Sequence, residues 1–252
     1  MGTILTDEEI KIIHQDSLEI LEDVGVRIDH NSVLQRLADN GCSVDFDKSV
    51  AKIPEKLINK CLSLCPSTIK IGDRTWDTIE VGPNGGNIFW SGNAIYTVEG
   101  KERQEITKEI FIQLIKVLDE LSHVNGIVGV SLSDVPPTAR DIIGFRLMGE
   151  YSNKHLRPCI YSSENAEGIR DMSEILLDGK RYEDYPIYSL GYSICSPLHW
   201  TKIAMELFII SAGYSVPVTI NSEIMLGGSS PVTIAGGLSL GNAEVLSGIV
   251  IN

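Results

Sequence analysis

The stretch Asn125-Gly126-Ile127-Val128-Gly129-Val130-Ser131-Leu132-Ser133-Asp134-Val135-Pro136-Pro137-Thr138 decides the fold. Its apolar part, Ile127 to Ser131, reads as a short strand whose end carries hydroxyl and carboxylate side chains. The double proline then opens a helix, which the spacing predicts as far as about Tyr151. The same rhythm returns three times. Pro158 to Ser162 predicts a strand and Asn165 to Leu177 a helix, and Ile187 to Ile194 and Thr201 to Ala212 repeat the pair. The fourth unit is Pro217 to Asn221, a glycine-rich loop through Ser230, and a helix still running at Asn252. Strand starts fall roughly thirty residues apart, each ending in polar residues.

Such strands alternating with amphipathic helices indicate a parallel sheet. A doubly wound sheet carries a glycine-rich nucleotide turn after its first strand, and Ser131-Leu132-Ser133-Asp134-Val135-Pro136 is not one. Four even units with polar strand ends suit a barrel, which closes at eight strands. The expectation is therefore an α/β chain: a partial TIM-type (β/α) barrel of about four units over 106–252, ending within a helix. An α+β cap over 1–105 precedes it.

In the cap, Thr6 and Glu9 make a capping box ahead of Ile10, Ile13, Ile20, Leu21 and Val24 at helical spacing, and Gly25 stops that helix. Asn31 to Asn40 predicts a second helix ended by Gly41, and Pro54 begins a third running to about Leu64. From Thr68 to Val98 short apolar runs broken by Gly, Pro, Asn and Asp predict a small β region. Pro83-Asn84-Gly85-Gly86 marks a turn there, and Val98-Glu99-Gly100-Lys101 a hairpin. Thr107 opens a helix expected to turn Ile110, Leu114, Val117, Leu118 and Leu121 toward the core.

The 43% of hydrophobic residues in 252 suffices for a sizeable core, and no apolar run is read as a membrane span or signal peptide, so a cytoplasmic protein is expected. The start Met1-Gly2-Thr3-Ile4-Leu5-Thr6 fits the acylation pattern only as many short Gly2 starts do. With 34 acidic and 21 basic residues the charge of −13 disfavours nucleic acid and anionic membranes. Five cysteines, an odd number, argue against a disulfide framework, and Cys61 and Cys65 have no further ligands for zinc, so no metal is expected.

Barrel active sites lie at the C-terminal strand ends, which puts Ser131, Ser133, Asp134, Ser162, Ser163, Glu164, Ser193, Cys195, Ser196, Asn221, Ser222 and Glu223 forward. Helix capping competes for each of them. Glu164 and Glu223 stand out, because a carboxylate at a barrel mouth binds cations or moves protons, against a helix-dipole role. Gly227 and Gly228, in Leu226-Gly227-Gly228-Ser229-Ser230-Pro231, could cradle a phosphate at a helix start or simply make a tight turn. His199 beside Trp200 reads as packed or capping. Phe89, Trp90 and Tyr96 either fill the hairpin core or offer faces to a quaternary ammonium group.

Three segments then resemble the trimethylamine methyltransferase family: Ile13-His14-Gln15-Asp16-Ser17-Leu18-Glu19-Ile20-Leu21-Glu22-Asp23-Val24-Gly25-Val26; Ser91-Gly92-Asn93-Ala94-Ile95-Tyr96; and Gly227 through Gly236 continuing to Asn242-Ala243-Glu244. Family members are about twice this length, so the resemblance implies the N-terminal half of a β/α-barrel enzyme. It implies methyl transfer from trimethylamine or a betaine-like quaternary amine to cobalt. The corrinoid (cobalamin) would be carried by a separate partner protein, with none bound by this chain. Tyr96 is then expected as an aromatic or hydroxyl contact, Asn93 and Asn221 as positioning groups, and Glu223, with Glu164, as cation partners. Homo-oligomerisation or pairing with the other half-barrel is also expected. The alternatives are a non-catalytic assembly partner, or a different barrel enzyme taking a phosphorylated substrate at Gly227 and Gly228.

Overall fold

In a computed structural model, residues 4–252 are described, so the Gly2 acylation pattern lies outside them. The elements run α1 (Asp7–Glu19), β1 (Val26–Ile28), α2 (Asn31–Asp39), β2 (Ser43–Asp45), β3 (Val50–Lys52), α3 (Glu55–Leu64), β4 (Ile69–Gly72), β5 (Thr78–Val81), β6 (Tyr96–Glu99) and β7 (Glu102–Glu105). They continue with α4 (Lys108–Glu120), β8 (Gly126–Val128), α5 (Arg140–Tyr151), β9 (His155–Arg157), α6 (Glu164–Leu176), β10 (Leu190–Ser193), β11 (His199–Trp200), α7 (Lys202–Ser211), β12 (Val218–Asn221) and α8 (Ile234–Ile251). The chain is mixed α/β, with its β residues in several small sheets. By internal contacts it forms two compact units, the first made of Met1–Cys65, Tyr192–Ala212 and Ile220–Asn252, the second of Pro66–Gly191 and Gly213–Thr219.

In the first unit the capping box forms as the sequence requires: Thr6 Oγ1 accepts from Glu9 N–H, and Glu9 accepts from the Thr6 backbone N–H at 2.7 Å. The helix widens into a π turn over Ile20–Val24 and stops at Gly25, whose φ of +84° and proximity to the Ala51 carbonyl exclude a side chain. A four-stranded sheet runs in the order β11-β1-β3-β2, with β1 parallel to β11 and antiparallel to β3. β11 was not expected, since its partner Arg27↔His199 is remote in sequence. Leu18, Leu21, Ile28, Leu34, Ile58 and Trp200 are the buried centre.

Helix α8 departs from the reading that no apolar segment approaches span length: its 18 residues are long and apolar enough, by composition, to cross a membrane. Here it packs on α1 and α3. Ser17 Oγ donates to the Ser239 carbonyl at 2.9 Å, Asn242 Nδ2 donates to Ser17 Oγ at 2.9 Å, and Trp200 Nε1 donates to Ser247 Oγ at 2.9 Å. The polar groups on this apolar helix are thus the ones that fix its neighbours.

In the second unit, the turn at Gly100 and Lys101 closes the β6–β7 hairpin with Gly100 at φ +61°. β8 and β9 are parallel, Gly126↔His155 through Val128↔Arg157, and parallel bridges extend the series from Trp90 at one side to Tyr188 at the other. Leu190 N–H continues it by donating to the Pro217 carbonyl at 3.0 Å. Helices α4, α5 and α6 pack in succession. Phe111 and Ile115 are the buried residues of α4, whereas Val117 and Leu121 are exposed, so its core face is turned from the one expected. β9 also lies before the expected Pro158 to Ser162, because Pro158 has no N–H to continue the ladder.

Candidate functional site

Phe145 of α5 meets Tyr188 edge-on, ring centroids 5.9 Å apart, so Tyr188 faces the helices. With period-two alternation, Ser189 and Gly191 face the other way, as do their neighbours His155 and Arg157 across the ladder. His155 is buried there. Its Nδ1 lies 2.8 Å from the Gly72 carbonyl, which can only accept, so Nδ1 carries the proton and Nε2 accepts from Ser189 Oγ at 2.9 Å. Trp90 closes against the imidazole edge-on at 5.1 Å. Burial pushes the His155 pKa down to about 4, keeping the ring neutral at ordinary pH.

Two residues along the same strand, Arg157 is half-buried, its guanidinium over Trp90 at 6.0 Å and against Gly191. A side chain at position 191 would collide with that guanidinium. Beyond it comes Cys159, whose thiol donates to the Gly129 carbonyl at 3.0 Å and receives Asn93 Nδ2 at 3.7 Å. Burial raises the Cys159 pKa, outweighing the nearby Asn93, Tyr161 and Arg157, so the thiol stays protonated rather than nucleophilic. Burial likewise raises the Tyr161 phenol, which reaches Cys159 and Ser131. Arg140 donates to Ser131 Oγ at 3.4 Å and to the Val135 carbonyl at 3.1 Å. The buried Asp141 accepts from Tyr161 N–H at 3.2 Å and Asn165 Nδ2 at 2.7 Å, tying the post-β9 segment to α6. The strand ends of this unit are thus lined by neutral hydroxyl, thiol and amide groups together with two guanidinium groups.

In the first unit, the strand ends converge on Glu244 of α8, which is fully buried. Its carboxylate accepts from Ser196 Oγ at 2.8 Å, Ser222 Oγ at 2.6 Å and Leu198 N–H at 2.9 Å. It therefore fixes both the turn after β10 and the residue after β12, and Ile194 N–H joins the same segments by donating to the Asn221 carbonyl at 3.1 Å. His199 Nε2 hydrogen-bonds the Asp29 carboxylate at 2.6 Å, a structural contact on β11.

The seven expected site residues divide between the units. In the second, Asn93 is exposed beside Cys159; Tyr96 is exposed with the Arg103 guanidinium 3.7 Å above its ring; and Glu164 opens α6, accepting from Ser162 Oγ. In the first, Asn221 ends β12, and Glu223 is exposed, its carboxylate making no hydrogen bond or ion pair among the described residues. Gly227 and Gly228 direct their N–H groups inward, to the Ser230 carbonyl at 3.1 Å and the Met225 carbonyl at 2.9 Å. That geometry makes a tight turn and leaves neither N–H aimed at an anion. Of the aromatic set, Trp90 is packed on His155 and Phe89 is exposed. Glu244, His155, Arg157, Asp141 and Tyr161 were not singled out as site residues. A lone acid inside an apolar helix was the available signal for Glu244.

Comparison with known proteins gives a consistent result. The family described as Trimethylamine methyltransferase (MTTB) matches residues 2–252. Trimethylamine methyltransferase MttB of Methanosarcina barkeri is 32% identical over 98% of this chain and 52% of its own length. Glycine betaine methyltransferase of Desulfitobacterium hafniense is 24% identical, again over 98% of the chain and 52% of its own length. The chain thus spans about half the length of the curated relatives it matches. Among solved structures, the hydroxylamine MtmB complex superposes with a TM-score of 0.68 at 12% identity, covering 98% of this chain and 52% of that one. The monomethylamine methyltransferase MtmB of Methanosarcina barkeri gives 0.58 at 11% identity, covering 97% and 57%.

Proposed function

This chain belongs to the trimethylamine methyltransferase family, and on that premise we propose that it carries the N-terminal, amine-holding share of an enzyme that moves a methyl group from a methylated amine to the cobalt of a corrinoid protein. The match across nearly its whole length to a trimethylamine methyltransferase is the observation that carries this reading. In keeping with it, the strand-then-helix order along the sequence from β8 to β12, with β8 and β9 parallel, is the order of the first part of a β/α barrel, which the further length found in the relatives would complete. The protein works in the cytoplasm.

The corrinoid, held by a separate protein, supplies a nucleophilic cobalt when it is docked. The donor set fits this division of labour. Methyl displacement asks the amine-binding protein to hold, orient and desolvate, not to exchange protons. Asn93, Ser131, Tyr161 and a protonated Cys159 are groups of that kind. In the second unit Asn93 is a positioning group; in the first, Asn221 is another and Glu223, whose carboxylate is unengaged among the described residues, is the cation partner. Glu164 is a weaker one, since Ser162 already binds it. Tyr96 serves only if Arg103 leaves its face.

The test mixes trimethylamine or glycine betaine with a reduced corrinoid protein and either this chain or the chain extended to the relatives' length. Methyl-cobalt absorbance with the extended form, reduced by Asn93→Ala, is expected. No signal with any methylated amine in the extended form overturns the reading.

A further inference from the structure

Among the described residues of a chain with 34 acidic and 21 basic side chains, the Arg157 guanidinium makes no ion pair and no hydrogen bond, although the Arg157 backbone takes part in the β8–β9 ladder. Most of the arginines and lysines that do find a carboxylate are exposed, as Arg146 is with Glu150 at 2.7 Å. Arg157 instead sits half-buried on the sheet face opposite the helices, where desolvation of a guanidinium is costly unless an anion compensates it. The surroundings are arranged to admit it: Gly191 leaves the room that a side chain would take, and Trp90 supplies one flank. The next ring of groups, Asn93, Cys159, Tyr161 and Ser131, contains side-chain donors, the Asp141 carboxylate beside Tyr161 is already taken up by Tyr161 N–H and Asn165 Nδ2, and Arg140, tied to Ser131, adds a second cation without an ion pair among the described residues.

We propose that Arg157 is a carboxylate anchor, so that the substrate of this protein is a zwitterion carrying both a quaternary ammonium and a carboxylate rather than a simple methylated amine. A planar guanidinium binds a carboxylate through two parallel hydrogen bonds, which fixes orientation as well as position. Holding the carboxylate end sets where the methylated nitrogen lies, and a simple amine lacks that handle. The inference rests on the methyl-transfer reading for its substrate class, but the anion site rests on Arg157 and Gly191 alone.

The experiment titrates the chain with glycine betaine, tetramethylammonium and acetate by calorimetry, for the natural protein and for Arg157→Gln, Arg157→Lys and Gly191→Ala. Loss of a charge-assisted pair predicts betaine binding weaker by about tenfold or more in Arg157→Gln, partly restored in Arg157→Lys. Gly191→Ala, which displaces the guanidinium without removing its charge, is expected to weaken betaine similarly, and tetramethylammonium is expected to be unaffected by all three. A thermal melt of each variant separates a binding loss from a folding loss. Equal affinity for betaine and tetramethylammonium, unmoved by Arg157→Gln in a folded variant, overturns the anchor and leaves the methyl-transfer reading standing. Acetate binding that needs Arg157, with no affinity for either quaternary amine, upholds the anion site and counts against methyl transfer.

Discussion

The strand ends of the two units handle buried charge in opposite ways. In the first unit, Glu244 is wholly enclosed and satisfied by two hydroxyls and one backbone N–H, all from the segments it holds. In the second, Arg157 is only half enclosed and meets no counter-charge. A charge whose partners are internal acts as a structural node, and removing it leaves the partners orphaned. A charge without internal partners is a standing cost that only a ligand offsets. Two residues along β9 from Arg157, His155 makes the contrast sharper within one strand: it avoids the cost by staying neutral, with both ring nitrogens bonded.

The comparison breaks most directly at Glu244. Glu244→Ala removes the acceptor for three donors and leaves a cavity, so urea unfolding is expected to show a loss of about 4 kcal/mol. A neutral result would show that the node is not one.

His155 gives the next effect. Its folded pKa of about 4 lies below the unfolded value near 6.5, so the unfolded chain takes up a proton first as pH falls. Stability is unaffected above about pH 6.5, then declines by about 3 kcal/mol down to about pH 4, and levels off below that. His155→Phe is expected to flatten this contribution in unfolding curves measured across that window.

The smallest effect is expected at Arg157. Arg157→Gln breaks no hydrogen bond and relieves a desolvated charge, so its unfolding free energy should lie within about 0.5 kcal/mol of the natural chain's. A loss like that of Glu244→Ala would mean that Arg157 is a structural node as well, and the contrast would collapse.

The order of elements was legible because caps and breakers are local: Thr6 with Glu9, Gly25, Pro54 and Gly100 each act within a few residues. Registers that depend on distant partners were not. β11 is two residues long and exists because β1 pairs with it, and α4, which packs on α5, buries Phe111 rather than Val117. The site was partly legible for a related reason. Asn93 and Asn221 could be put forward as candidates by position, at a strand end or in a matching motif. The strand at β9, His155–Arg157, lies three residues before the Pro158 start that the sequence suggests. Their alternation around Leu156 was itself the signal of a strand with one face on the core and one face on a polar site.

Helix α8 has a consequence outside the folded state. To the machinery that sorts nascent chains by hydrophobicity, Ile234–Ile251 is a borderline candidate for insertion. An acidic residue near the middle of such a segment raises the cost of entering a bilayer by about 3 kcal/mol. Glu244 lies there, so the group that ties the strand ends together also makes the segment costlier to place in a bilayer before it has anything to tie.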